Sequence, residues 1–196
     1  MEFEPKGAAA AVLGWWRKLR LETGAARAAR ARLRRCTSVL EALLLEETHE
    51  LIKAVGHAGT TRGPRDSERC LAVLAMTLAH IADASKTPLA RALGQTAAGR
   101  PPTGEERPRL SSARFGALLR AAHAVDWDAF ARALRRAFAI LGDAPVDVQR
   151  LIDDVLFLND AALQRWTYDY WQTRAPAEPQ DNELSESSST EMETAP

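Results

Sequence analysis

Runs of β-branched residues, long apolar stretches and cysteines are all scarce in this chain of 196 residues. With few Val, Ile and Thr in succession there is little to build a sheet from. The abundant Ala, Leu and Arg favour helix, so an all-α protein is expected. No apolar run reaches the ~18 residues that a membrane span needs, and the opening M-E-F-E-P-K lacks a charged-then-apolar leader, so a cytoplasmic protein with no membrane contact is expected. The two cysteines, Cys36 and Cys70, fall beside apolar positions of expected helices, as buried free thiols in a reducing compartment do.

Catalytic signatures are missing too. There is no Walker loop and no G-x-G-x-x-G. His49-Glu50 opens like the zinc motif H-E-x-x-H, but the fourth residue after His49 is Lys53, an ammonium where an imidazole must sit, and His57 lies beyond a helix-ending glycine. Asp153-Asp154 with Asn159-Asp160 is spaced wrongly to hold magnesium from one helix face, and reads as surface charge and capping. His80 and His123 lie in apolar helices with no Ser or Cys elbow near them. Neither an enzyme nor a cofactor is expected.

What the chain does have is unevenly placed charge. Its 26 basic and 26 acidic residues cancel, but the segment 176–196 holds Glu178, Asp181, Glu183, Glu186, Glu191 and Glu193 with no Lys or Arg. Without those six acids, 26 basic residues face 20 acidic ones, so the rest of the chain is basic. The Ser/Glu/Pro composition of 176–196 cannot bury enough surface to offset ordering, and predicts a disordered acidic tail behind a helical domain of residues 1–175.

Apolar periodicity predicts helices over 8–21, with Val12, Trp15, Trp16 and Leu19 inward, and over 25–36, with Thr23 as its cap. That second helix resumes after a bend at Thr37-Ser38 and runs to Gly56, followed by a Gly/Thr/Pro loop over 58–64. Residues 66–84, apolar around most of the wheel, should form the central helix. A short helix over 88–94, a proline-rich loop over 99–108 and a helix opened by Ser111 or Ser112 follow, the last with Phe115, Leu118, Leu119 and Ala122 inward. Asp126 should cap a helix over 127–141, and a last helical region over 146–173 breaks at Asn159-Asp160. The expectation is a compact bundle of about seven to nine helices, built as one unit or two packed halves.

Two of these helices carry basic faces. Residues 25–36 gather five arginines into three turns. On a wheel, Arg27, Arg30 and Arg34 share one side, opposite Ala29, Leu33, Cys36 and Leu40. On the helix over 127–141, Arg132, Arg135 and Arg136 lie opposite Trp127, Phe130, Leu134, Phe138 and Leu141. Arginine's planar fork suits repeated phosphate contacts, so these faces are candidates to touch a nucleic-acid backbone. The competing reading is a solvated arginine face in a protein from a GC-rich genome.

The order of motifs resembles the CasB family, the small subunit of the type I-E CRISPR surveillance complex Cascade. The matching pieces are W-W-R-K-L from Trp15, R-A-R-L-R-R from Arg30, the apolar helix ending L-A-H at His80, P-L-A-R-A-L-G from Pro88 and A-R-F-G-A-L-L-R-A from Ala113. L-R-R-A-F-A-I-L from Leu134, V-D-V-Q-R-L-I-D-D-V-L from Val146 and W-T-Y-D-Y-W from Trp166 complete the series, so the likeness spans residues 12–172. Ala113 stands where the family often has a second basic residue, and the acidic tail is outside the shared pattern.

The resemblance implies a non-catalytic helical protein in an antiviral crRNA-guided ribonucleoprotein. Its implied partners are the large subunit, the backbone subunits, a second copy of itself, the crRNA and the displaced strand of target DNA. Arg34 and Arg35 take the family's first L-R-R positions, Arg114 the R-F position, and Arg135 and Arg136 the later L-R-R; Arg27, Arg30 and Arg120 are added from wheel geometry. About one in three of these arginines is expected to pair with Glu41, Asp126 or Asp128 instead, as helix-surface charges often do. The alternative is a protein-interaction module in which Trp15, Trp16, Trp166 and Trp171 form a surface and the arginines meet acidic partners.

Overall fold

The computed structural model describes residues 5–56 and 64–172, and among them the chain is all-helical, with ten helices and no strand. Of the expected loop over 58–64 all but Pro64, together with His57 and the expected tail over 176–196, lies outside the described residues. Among the described residues, no helix is long and apolar enough to cross a membrane.

Helix α1 (Pro5–Leu19) buries Val12, Trp15, Trp16 and Leu19. Helix α2 (Gly24–Arg35) starts where the Thr23 hydroxyl accepts from the Ala26 amide at 3.1 Å. The stretch expected to continue to Gly56 is two helices, α3 (Val39–Leu43) and α4 (Glu46–Val55). The break at Cys36–Ser38 resets the helical phase, so Leu40, expected inward, is 68% exposed. Helix α5 (Pro64–Leu78) is the central one: every residue over 70–79 is buried, against α2, α3, α4, α8 and α9. It ends before 84, where Ala84 and Val146 form an isolated parallel bridge and Val146 O accepts from the Ser85 amide at 2.8 Å.

Helix α6 (Leu89–Gly94) packs on α10 (Asp160–Trp171) through Gly94, where a Cβ would lie 2.0 Å from Tyr170 O. Helix α7 (Ser112–His123) packs on α8 (Trp127–Leu141), whose first turn is capped by Asp126 accepting from the Ala129 amide at 3.0 Å. Phe130 and Leu134 of α8 are fully buried, each contributing roughly 1.5–3 kcal/mol. Helix α9 (Val148–Leu156) ends at the expected break, and Asn159 caps α10.

Asp154 is not surface charge, as its sequence context had implied. It is 4% exposed and accepts from Trp166 Nε1 and Arg165 Nη2, each at 2.7 Å, while Arg150 bridges to buried Asp169. This pairing ties α9 to α10. A charge taken out of water needs such partners to persist.

Candidate nucleic-acid interface

Spacing of i, i+3 and i+4 puts Arg132, Arg135 and Arg136 on one side of α8 once its apolar stripe is buried against α5 and α7. All three are exposed, and with Thr37 and Ala139 they line an open groove. The far wall is the α2–α3 junction. Asp128, in the first turn of α8, fixes it by accepting from the Val39 amide at 2.8 Å, while Arg135 Nη1 donates to Cys36 O at 3.4 Å.

Arg34 approaches from α2. Its Nε donates to Ala79 O at 2.6 Å, one residue past the end of α5, where a cation also complements the helix dipole. His80 lies between the two helices, stacked on Phe138 with ring centroids 6.3 Å apart. Burial, then the charges of Arg34 and Arg135, push its pKa down to about 4. It is therefore neutral near pH 7, and the positive charge here belongs to arginine alone.

The reason these cations stay available is the occupation of the nearby acids. Asp126 caps α8, Asp128 caps α3, and Glu41 accepts from the Thr37 amide at 2.7 Å, which holds its own pKa low. Glu41 lies near enough to feel the Arg135 charge but makes no ion pair with it. The expected pairing of arginines with these three carboxylates therefore does not occur. Among the described residues, none of Arg27, Arg34, Arg35, Arg114, Arg120, Arg132, Arg135 and Arg136 has a carboxylate partner within ion-pair distance.

Helix α2 differs most from expectation. Arg30, placed by the wheel on the solvent face, is 9% exposed and donates to Leu19 O and Leu21 O, satisfying carbonyls at the end of α1. It leaves the exposed set because another helix terminus packs on that face. Arg32 pairs with Glu47 of α4. Arg27 and Arg35 are exposed but do not line the groove. On α7, Arg114 and Arg120 are exposed too, and neither lines it; Arg120 folds back along its helix, its Nη1 3.3 Å from where a Cβ on Gly116 would stand. Of the expected site residues the groove thus brings together Arg135 and Arg136 and adds Arg132, visible on the wheel yet outside that set, while Arg34, held at the end of α5, does not line it. The proposed tryptophan surface does not form: Trp15, Trp16 and Trp166 are at most 7% exposed, and Trp171 alone projects.

His80 gives a pH test of this arrangement. Between pH 6.5, its ordinary value, and about 4, the unfolded chain binds a proton that the folded chain refuses, so stability falls as pH drops through that window and is unaffected above it. Chemical denaturation of wild type and His80→Gln at pH 7.5 and 4.5 should show a larger acid loss in wild type. Equal losses would mean that the imidazole is free to protonate in the fold.

The family model for CRISPR-associated protein Cse2 matches residues 29–171. The crystal structure of a CRISPR-associated protein of the Cse2 family from Thermus thermophilus is similar, with a TM-score of 0.57 and 27% identity over 84% of this chain and 98% of that one. Among curated proteins none matches the sequence significantly. With the family pattern running from α2 to the last turn of α10 on a matching helical fold, the chain belongs to the Cse2 family, the CasB small subunit of type I-E Cascade, and is a component of CRISPR defence.

Proposed function

We propose that this subunit is non-catalytic and holds the displaced strand of target DNA through its phosphates, stabilising the R-loop opened by the crRNA. Arg132, Arg135 and Arg136 form the main contact, Arg34 extends it, and Arg27, Arg35, Arg114 and Arg120 are outlying contributors. The observation that carries this reading is the α8 groove, where three exposed guanidinium groups lack a carboxylate because the adjacent acids cap helices. Such contacts are blind to sequence, as a guide-directed complex needs, since every target differs. Replacing DNA pairing by RNA pairing is nearly balanced in free energy, so a few phosphate contacts suffice to tip it.

The same reading places the subunit in the cytoplasm beside the large and backbone subunits, with a second copy of itself, and makes residues 1–175 its helical domain. The test is reconstitution of the crRNA-loaded complex with and without this chain, followed by hydroxyl-radical footprinting of the displaced strand's sugar-phosphate backbone. Protection that requires the chain and is the same for unrelated targets is expected. Equal backbone cleavage of the displaced strand in both complexes would contradict the strand-holding role.

A further inference from the structure

We propose that the acidic segment 176–196 is a tethered competitor for the α8 arginine groove, occupying it when no nucleic acid is bound. This rests on the phosphate-binding reading of that groove and adds its regulation. The segment offers six carboxylates and no cation, while the groove offers Arg132, Arg135 and Arg136 with no carboxylate partner among the described residues. Charge complementarity is therefore present within one chain.

Reach is no obstacle. Glu178 lies six residues beyond Gln172 and Glu193 lies 21 beyond it. At full extension these stretches span about 20 and 70 Å. A globule of ~170 residues has a radius of gyration of about 15 Å, so any face of the bundle is accessible to the distal acids.

Tethering sets the local concentration of the acids in the millimolar range, enough to populate contacts that would be negligible between separate molecules. Exposed carboxylate–arginine pairs are individually weak and screened by salt, whereas a DNA strand presents a denser row of charge. The segment can therefore turn away stray polyanions yet yield to a strand delivered by the guide.

The experiment uses isotope-labelled full-length chain. Backbone amide shifts of Glu183, Glu186 and Glu191 are compared between 20 mM and 500 mM NaCl, in wild type and in the Arg132→Ala/Arg135→Ala/Arg136→Ala variant. Salt-dependent shifts in wild type that vanish in the variant are expected. Identical tail shifts in the two proteins would overturn the proposal.

In a second arm, full-length chain and chain ending at Ala175 are titrated with a single-stranded DNA 20-mer. Truncation should tighten binding about tenfold at 50 mM salt, with the difference gone by 500 mM. Equal binding of the 20-mer by both chains would overturn the competition while leaving the phosphate-binding reading intact. Binding by neither would defeat that reading, and the competitor role with it.

Discussion

Replacing Arg132, Arg135 and Arg136 together by alanine is expected to weaken retention of the displaced strand about 100-fold at 0.1 M salt, by the same factor for every target. Each single-strand phosphate contact contributes about 0.7 to the slope of log affinity against log salt, so losing three makes the slope shallower by ~2. Folding should be little affected. The three side chains are exposed, and Arg135 alone gives up a hydrogen bond, the long one to Cys36 O.

Arg30→Ala provides the contrast. Its guanidinium is buried against the carbonyls that end α1, so its loss should lower thermal stability and leave the salt slope unchanged. A triple variant with the wild-type slope, or a loss that varied with target sequence, would show that the α8 groove does not hold phosphates.

The largest expected effect on stability comes from a single methyl group. In Gly94→Ala the new Cβ would stand 2.0 Å from Tyr170 O and 2.8 Å from Tyr170 C, both backbone atoms with no freedom to swing aside. Helix α6 would have to back away from α10. Tyr170 would move with it, though its hydroxyl donates to Leu110 O at 2.6 Å and its ring stacks on Phe115 at 4.0 Å. Overpacking of this kind costs about 3 kcal/mol or more, equivalent to a melting temperature lowered by roughly 10 °C in a domain of this size. Thermal unfolding by circular dichroism checks it. An unchanged melting temperature would mean that the two helices do not meet this closely.

Much of this fold can be read from local patterns, because local chemistry decides it. The stripe of Trp127, Phe130, Leu134, Phe138 and Leu141 defines α8, and the caps at Thr23, Asp126 and Asn159 act within three residues of themselves. The breaks that escape such reading lack a local breaker. Between α3 and α4 there is no Gly or Pro, and Leu45 starts α4 without a side-chain cap, so packing of α3 on α5 and α4 on α1 determines the corner. That the described residues form ten helices, where about seven to nine are expected, follows in part from that hidden corner.

The site divides in the same way. That Arg132, Arg135 and Arg136 share a face is a matter of helical period, legible without coordinates. That Arg30 is consumed by α1, Arg32 by Glu47 and Arg34 partly by the end of α5 depends on residues up to 45 positions away. Equally non-local is the capping of α3 by Asp128, 89 positions from Val39, which removes the carboxylate a surface pairing rule would have given to an arginine. The most arginine-rich stretch therefore serves largely to join helices, and the more modest basic face of α8 keeps its charge free.

The most direct test of strand-holding by α8 is photo-crosslinking within the reconstituted complex. A benzoylphenylalanine is placed at Ala139, which lines the groove, and in a second sample at Glu50, which lines the groove between α1 and α4. Irradiation with target DNA bound should join the displaced strand to position 139 and leave position 50 unlinked. Strand adducts equally abundant at both positions, or only protein adducts at 139, would contradict the account.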